Sequence, residues 1–348
     1  MGDIFRQPID ALAGLLVQNR PNLFPNIPIS TSYAWINLEI NGNLVVGVAD
    51  AVLIQDHIMN LIQDIQIIAS GSSLRKQMDA ETLLKNLLIV TGQYPTVVPP
   101  AVGFATSPNA FRMVIPIYFV AVGHASATQT LLNARRLASL SLKITMADVT
   151  VVATPGGGGT VAIDPATLTL NAYSREFLKI PATVAYQLNN EEGISPYVAV
   201  APTATLVEIA KLKGSEPINA LMFRTEIGGV NSDAVLGPIE IWGAPKGSSR
   251  SAPILKTSWA DITESMIEEY DLASIFLMNA WVPPAGTLPY TPFDLVGFRR
   301  YQIDASRSFN KGEMVNPTDY DPETLVVKAQ ILAAGTIYIT QQSIGAAE

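Results

Sequence analysis

The chain has 348 residues and a mass of 37.3 kDa, which exceeds the usual size of one domain and predicts two domains or one duplicated all-β unit. Its 22 Lys and Arg against 30 Asp and Glu residues give a net charge of −8, which argues against a basic nucleic-acid-binding surface. The absence of Cys removes disulfides, thiolate nucleophiles and thiolate metal sites. With 48% hydrophobic residues and a mean hydropathy of +0.27, the composition is that of an obligate oligomer.

The amino-terminal residues 1–25 are predicted to form an arm or a short amphipathic helix, the helical pattern running from Ile9 to Val17. The first residues lack the basic start and apolar core of a secretory signal. The apolar runs further along the chain fall short of the roughly 18 residues that span a bilayer, so no transmembrane helix is predicted.

Strand patterns dominate the rest of the chain. Tyr33 to Ile40 alternates between apolar and polar residues, and Asn41-Gly42-Asn43 is predicted to be a turn. The same period of two predicts strands at Phe111–Phe119, Leu140–Met146, Leu325–Ile331 and from Gly335 through Ile339. The 24 Gly and 24 Pro residues cut the chain into short segments, as β-sandwiches and barrels require.

Two helices are predicted among these strands. The first follows Asp79, whose carboxylate can cap the helix, and has Leu83, Leu84 and Leu87 in its apolar stripe. The second begins near Ser258, with its apolar face at Trp259, Ile262 and Met266.

What precedes each helix is similar. Ile65 begins a strand that leads into Gly71-Ser72-Ser73 and the first helix, and Ile239 begins a strand that leads into Gly247-Ser248-Ser249 and the second. The two strands lie about 174 positions apart, half the chain length, which predicts an internal duplication. The segment from Thr154 to Thr160 is either the join between the halves or a loop of the first half.

The predicted fold is therefore all-β, with two tandem eight-stranded jelly rolls at residues 26–174 and 175–348, each with a short inserted helix. This architecture resembles the double jelly-roll major capsid proteins of icosahedral DNA viruses, the lineage of tailless membrane-containing phages, adenovirus and the large DNA viruses. The local resemblance lies in Val114–Phe119, similar to an Ile-Pro-Leu-Pro-Phe type strand, followed by the Leu-rich run Leu131–Ile144. The second Pro of the family pattern is missing here.

The resemblance implies a structural protein that is not an enzyme and needs no cofactor. Its expected partners are two further copies in a pseudo-hexagonal homotrimer, neighbouring capsomers, penton or minor capsid proteins and, where the virus has one, an internal membrane. No sequence-specific nucleic acid is expected, and the expected location is the virion capsid, assembled in the host cytoplasm. The resemblance also implies an amino-terminal segment that faces the particle interior. The candidate contacts there are Ile4, Phe5, Leu12, Leu15 and Leu16.

Other chemistry is less well supported by the sequence. Asp319, Asp321 and Glu323 form an oxygen-rich run that could bind Ca²⁺, but the run lacks EF-hand spacing and a solvated turn is the preferred interpretation. His57 sits between the apolar residues Ile54 and Ile58, and His124 follows a strand in a Gly- and Ala-rich loop, so a satisfied or partly buried imidazole is preferred to a catalytic role. The pairs Arg135-Arg136 and Arg299-Arg300 could contact lipid or neighbouring subunits, or form structural salt bridges.

The alternative function is that of a tandem β-sandwich protein that binds or cleaves carbohydrate. It requires exposed aromatic side chains to converge on one groove, and the candidates are Trp35, Trp242, Trp259 and Trp281. Its carboxylates would come from the acidic segment Asp261–Asp271, whose helical spacing is instead typical of a solvated helix face.

Overall fold

The computed structural model describes residues 4–93, 95–122, 127–177, 187–270, 272, 294–304 and 314–346. The strands of the first half are β1 (Ile4–Pro8), β2 (Gly14–Leu15), β3 (Pro21–Phe24), β4 (Ser32–Gly47), β5 (Val52–Leu53), β6 (Ile62–Ala69), β7 (Ser73–Met78), β8 (Val97–Val98), β9 (Asn109–Tyr118), β10 (Leu132–Asn133), β11 (Leu140–Met146), β12 (Ala153–Thr154), β13 (Thr160–Ile163) and β14 (Thr169–Phe177). Those of the second half are β15 (Gln187–Ala199), β16 (Val207–Lys211), β17 (Ile218–Ile227), β18 (Val230–Asn231), β19 (Leu236–Gly243), β20 (Ala252–Ser258), β21 (Phe298–Gln302), β22 (Val326–Ile331) and β23 (Gly335–Ala346).

The helices are few and short. The α-helices are α1 (Ala80–Thr91) and α2 (Trp259–Tyr270). The 3₁₀ helices span Asp10–Leu12, His57–Leu61, Phe104–Thr106, Ala127–Thr130, Ala134–Arg136, Val149–Val151 and Pro317–Asp319. In the described residues no helix is both long and apolar enough to cross a bilayer.

The first half forms a jelly roll of two antiparallel sheets. One sheet has the strand order β1-β14-β4-β9, and the other has the order β3-β11-β6-β7. Alternate side chains point between the sheets, so Ile36 and Leu38 of β4 lie in one core with Ile65 and Ile67 of β6. Each such side chain is almost fully buried, which stabilises the fold by roughly 1.5–3 kcal/mol per residue.

The second half repeats this topology with its own core. Its sheets have the orders β15-β23-β17-β21 and β16-β22-β19-β20, again with antiparallel neighbours. Phe223, Ile239 and Val327 lie in this second core. The eight main strands of each roll therefore pair in the same order, and the prediction of two tandem jelly rolls is confirmed.

The predicted duplication around the helices is also confirmed. In each roll the helix follows the fifth main strand, β7 or β20, and that strand has a one-residue bulge, at Arg75 or Ile254. Asp79 Oδ1 accepts a hydrogen bond from the Thr82 amide at 2.6 Å, and Ser258 Oγ accepts one from the Asp261 amide at 3.1 Å. These are the side-chain caps that satisfy backbone donors at a helix start.

A parallel strand pair joins the two rolls. The fifth main strand of the first roll, β7, pairs with the first strand of the second roll, β15, with Lys76 opposite Glu191 and Gln77 opposite Glu192. One sheet therefore runs through both rolls, and because the joining strands are parallel, equivalent ends of the two rolls point the same way.

The prediction that residues 1–25 form an arm or a short helix is wrong. β1, β2 and β3 pair with strands of the first roll, and the Leu16 amide donates to Leu168 O at 2.9 Å. The spacing of Leu12 and Leu16 suits a helix, but here the backbone groups are satisfied by β14 instead. Only the single 3₁₀ turn Asp10–Leu12 is helical in this segment.

The predicted turn at Asn41-Gly42-Asn43 is also wrong, because β4 continues through it. Gly42 pairs with Phe111 of β9, and a Cβ atom at Gly42 would lie 2.5 Å from Cζ of the Phe111 ring. The glycine therefore marks a close approach of an aromatic ring to a strand rather than a reversal of the chain.

The glycine-rich segment lies inside the first roll. It connects β12 to β13, which pairs with β4, so the loop alternative is correct and the join alternative is not. The predicted boundary before residue 175 falls within β14, which remains paired with β4 up to Phe177. β15, the first strand of the second roll, begins at Gln187.

Candidate functional site: the seam between the two rolls

The most elaborate polar site in the described residues lies where the first roll covers the second. We call it the inter-roll seam. Its charged and amide side chains are Asp56, Lys76, Asp79, Glu81, Lys85 and Asn86 from the first roll, and Glu191, Arg224, Glu226, Asn231, Arg300 and Gln342 from the second.

Helix α1 is sandwiched between the rolls. Its residues Ala80–Ile89 are all buried, because one side packs on its own roll while Leu88 and Ile89 join the core of the second. The strand beneath it, β17, is buried on both faces from Ile218 to Thr225. The seam therefore excludes most solvent, which makes every charge in it costly to leave unpaired.

One ion pair sits at the strand junction itself. Lys76 Nζ lies 2.8 Å from Glu191 Oε2, and the two side chains are 1% and 10% exposed. Gln342 Nε2 donates to the other carboxylate oxygen of Glu191 at 3.0 Å. Burial lowers the pKa of Lys76, while the neighbouring Glu191 carboxylate acts in the opposite direction.

A larger charged cluster surrounds the start of α1. Arg224 of β17 donates to Glu81 Oε2 at 2.9 Å and to Asp79 Oδ2 at 3.3 Å, and it also pairs with Glu226 on its own strand. Lys85 Nζ lies 2.8 Å from Glu81 Oε1 and 3.2 Å from Asp56 Oδ2. The cluster links residues that lie more than 140 positions apart in sequence.

The amide of Asn231 completes this cluster. Its Nδ2 donates to Asp56 Oδ2 at 2.5 Å and to Glu81 Oε1 at 2.7 Å, so β18 is fixed to the first roll. Glu81 thereby accepts hydrogen bonds from three donors, two of them cationic, which makes it the central acceptor of the seam.

The two central carboxylates have opposite protonation behaviour. Burial by itself would raise the pKa of Glu81, but Lys85 and Arg224 outweigh burial and lower that pKa to about 2. Burial raises the pKa of Asp56 to about 6, and the negative charges of Glu81 and Asp294 add to this increase. At neutral pH the seam therefore holds a strongly stabilised carboxylate beside a weakly stabilised one.

A groove of about 920 Å³ opens along this side of the seam, with Asp79, Arg224, Glu226 and Tyr338 in its wall. The Arg224 guanidinium lies over the Tyr338 ring, 3.9 Å from its centroid. The charged groups here are held by one another, an arrangement suited to fixing two rolls together. Among the residues that the structure describes, no group of three His, Asp or Glu side chains is arranged to hold a metal ion.

Arg300 forms the polar contact at the other side of α1. Its guanidinium donates to Asn86 at 2.8 Å, Gln302 at 2.8 Å and Gln342 at 2.6 Å, and its neighbour Arg299 pairs with Asp233 at 3.1 Å. Both arginines are buried, so the lipid-contact hypothesis is wrong for this pair and the structural alternative is correct. Arg135 and Arg136 are exposed, and Arg135 donates to Ser30 O at 2.7 Å.

The predicted interior-facing residues fall into three groups. Leu12 and Leu16 lie in the core of the first roll at 0% and 1% exposure, so these two cannot be surface contacts. Leu15 is 58% exposed and stays available. Ile4 and Phe5 lie in β1, and their side chains are outside the described part of the structure.

The Ca²⁺ candidates occupy an exposed turn. Asp321 Oδ1 accepts from the Glu323 amide at 3.1 Å, Glu323 pairs with Lys211 at 2.7 Å, and Asp319 contributes its backbone carbonyl to the Lys246 amide. These contacts are those of a turn with a surface ion pair, in agreement with the preferred interpretation of this run.

The remaining candidates do not gather into a catalytic site. Burial lowers the pKa of His57 to about 4, and its Nδ1 accepts from the Ile58 amide at 2.9 Å; His124 lies outside the described residues. Trp35 belongs to the first roll, Trp242 lies on β19 beneath Lys328, and Trp259 is buried in the second core. The described tryptophans therefore lie on separate surfaces, and Trp281 is outside the described residues.

The chain superimposes on solved structures over nearly its whole length. The chain superimposes on the STIV MCP with a TM-score of 0.70 at 13% identity, covering 99% of this chain and 97% of that chain. The chain has the double jelly-roll fold. The major capsid protein P2 from bacteriophage PM2 matches with a TM-score of 0.56 at 11% identity, covering 99% and 98% of the two chains. A chain of the PBCV-1 virus capsid matches with a TM-score of 0.59 at 11% identity, covering 99% and 94%.

No protein-family model and no curated protein sequence matches the chain. The inter-roll seam was missed by sequence reasoning. Its one local signal was the spacing of Glu81 and Lys85 on one helix face, which usually denotes an exposed pair. Their partners on the second roll could only be found from the structure.

Proposed function

We propose that this protein is a major capsid protein, of which three copies form a pseudo-hexagonal capsomer and many capsomers form an icosahedral virion shell. The observation that carries the proposal is the double jelly-roll fold over nearly the whole chain. It is shared with capsid proteins, and each match covers at least 94% of the capsid protein's chain. The role is structural, and the protein works by assembly rather than by a chemical reaction.

The chain has the physical properties that such a role needs. Each copy supplies two equivalent rolls held parallel by one continuous sheet, so three copies supply six similar building blocks. The composition, 48% hydrophobic and only 15% charged, supports interfaces that are buried for the life of the particle. Obligate interfaces of this kind bury about 2,000 Å² or more in total.

The proposed partners are further copies of the chain, neighbouring capsomers, and penton or minor capsid proteins. The proposed location is the virion, after assembly in the host cytoplasm. Where an internal membrane is present, Ile4, Phe5 and Leu15 are the remaining candidate contacts from the amino-terminal segment, of which Leu15 is exposed.

The test is the solution mass of the purified full-length protein by light scattering, with electron microscopy of the same sample. We expect particles of three times the 37.3 kDa chain mass with six-lobed outlines. A monomer that stays monodisperse over a wide range of concentration and ionic strength would contradict the proposal. A glycan array serves as the comparison for the carbohydrate alternative, which predicts binding by that monomer.

A further inference from the structure

The junction between the rolls leaves matching free edges at the two ends of the molecule. Inside the chain, β7 pairs with β15, which joins the fifth main strand of one roll to the first strand of the next. In the described residues the fifth main strand of the second roll, β20, pairs only with β19, and the first strand of the first roll, β1, pairs only with β14. The chain therefore contains one complete junction and the two halves of another.

The sheet faces show the same asymmetry. In the second roll, β17 is buried on both faces. One face lies on the core of the second roll, and α1 covers the other. The equivalent strand of the first roll, β4, is buried on alternate residues from Ala34 onward, and Trp35, Asn37 and Glu39 on its outer face are half-buried. The outer face of the β1-β14-β4-β9 sheet is thus the uncovered counterpart of the surface on which α1 packs.

The helices differ in the complementary way. α1 is buried around its circumference, whereas α2 buries only Trp259, Ile262 and Met266. Aligning the two strand bulges and helix caps places Glu264 of α2 where α1 has Lys85, and Glu268 where α1 has Ile89. Ile89 lies in the core of the second roll, and Lys85 pairs with Asp56 and Glu81 beside it. On α2 the same positions are exposed.

The two uncovered surfaces are complementary in charge. The exposed face of α2 carries acidic residues and no basic ones, and its members are Asp261, Glu264, Glu268 and Glu269. The outer face of the first sheet carries Arg112, which is 48% exposed beside Glu39, and Arg175, whose guanidinium lies 4.5 Å from the centroid of the Trp35 ring. The register of β14 against β4 matches that of β23 against β17, so Arg175 is equivalent to Gln342 of the inter-roll seam.

We propose that α2 and β20 of one copy dock on the first-roll outer face and the β1 edge of the next copy, repeating the inter-roll seam between subunits. The inference rests on the proposed capsomer and specifies which surfaces build it. Aligned on the internal junction, β20 adds to β1 in parallel, with Leu255 opposite Arg6 and Lys256 opposite Gln7. The contact is heterologous, and in the proposed capsomer three copies with six rolls close it into a ring.

A charge-reversal series on the full chain tests the helix contact. Glu264→Lys with Glu268→Lys reverses the charge of the α2 face that docks on the sheet carrying Arg112 and Arg175, so we expect the trimer dissociation constant measured by light scattering to rise about 100-fold. Arg175→Glu alone should weaken the trimer as well. Combining all three changes should restore the trimer, which a merely misfolded variant would not do. Glu208→Lys with Glu323→Lys alters net charge equally on exposed positions elsewhere and should leave the mass unchanged.

Engineered disulfides test the strand register, because the natural chain has no Cys. Lys256→Cys with Gln7→Cys should give a covalent trimer on a non-reducing denaturing gel. The matched pair Gln77→Cys with Glu192→Cys occupies the equivalent internal positions and should leave a single chain.

The outcomes separate the two levels of the argument. If the unaltered protein is a monomer, the proposed function fails. If it is a trimer whose mass is insensitive to the charge reversals, and the Lys256–Gln7 cysteine pair forms no bond between chains, the docking surfaces are wrong while the capsomer stands.

Discussion

The buried ion pair Lys76–Glu191 yields the sharpest test of the inter-roll seam. Replacing Lys76 by Met leaves the Glu191 carboxylate buried with only the Gln342 amide as a described donor to it. An uncompensated buried charge of this kind costs about 3–5 kcal/mol of unfolding free energy. Glu191→Leu should cost a similar amount, because it strands the Lys76 ammonium at 1% side-chain exposure.

The double variant Lys76→Met with Glu191→Leu removes both charges together. Since an apolar pair of similar volume often replaces a buried ion pair without loss, we expect its unfolding free energy to lie within about 1–2 kcal/mol of the unaltered protein. The coupling energy from the double-mutant cycle should therefore be several kcal/mol. This is large only because each single change leaves a charge behind.

The assay is guanidinium unfolding at one fixed protein concentration, followed by both circular dichroism and tryptophan fluorescence. Lys211–Glu323 is the matched control, since its atoms are equally close at 2.7 Å but its side chains are 55% and 80% exposed. Neutralising either partner there should change stability by less than about 1 kcal/mol. Equal costs for the buried and the exposed pair would refute the reasoning from burial.

Four further perturbations probe the carboxylates of the seam and the core of the first roll. The pKa of Asp56 in the folded protein is about 6, above its usual 3.8. Its contribution to the unfolding free energy is therefore complete below pH 3.8 and is lost as pH rises through 6. In a pH series of unfolding experiments, Asp56→Asn should remove the corresponding gain in unfolding free energy between pH 7 and 5. The pKa of Glu81 in the folded protein is about 2, below its usual 4.5, so its contribution to the unfolding free energy is complete above pH 4.5 and is lost as pH falls toward 2. Glu81→Gln should reduce the loss of unfolding free energy over this acid range, and an unchanged loss would exclude this assignment. Gly42→Ala drives a Cβ into the Phe111 ring and should cost about 1–3 kcal/mol by thermal or denaturant unfolding, less when combined with Phe111→Leu. Leu12→Ala should cost about 2–5 kcal/mol and Leu15→Ala less than about 0.5, and equal costs would contradict the assignment of Leu12 to the core.

The fold was predictable because its information is local. The alternation at Leu140–Met146 produced a strand with those same bounds, and the Asp79 and Ser258 caps marked both helix starts. The repeated strand–loop–helix unit then gave the duplication without knowledge of any long-range pairing. The errors arose where a tertiary contact, rather than local preference, determines the residue type. At Gly42 the Asn-Gly-Asn pattern predicted a turn, but the glycine is needed because the Phe111 ring packs on the strand.

The seam was not predictable for the same reason. Arg224, Asp56 and Glu81 come together only after both rolls have formed, and each alone resembles an ordinary surface charge. The amino-terminal segment failed in a related way. The spacing of Leu12 and Leu16 fits a helix, and only the position of β14 makes a strand the better way to satisfy the backbone.

One tertiary feature did leave a signal in the sequence. β4 alternates strictly, with Asn37 and Glu39 between apolar residues, as expected for a strand with one face toward a core. Its counterpart β17 begins Ile-Asn-Ala-Leu-Met-Phe, a nearly continuous apolar run, and such a run predicts a strand covered on both faces. In a duplicated fold, a difference of this kind between equivalent strands identifies which roll is covered by its neighbour. Here the covered roll is the second, and the half-covered face of β4 is the surface left for another chain.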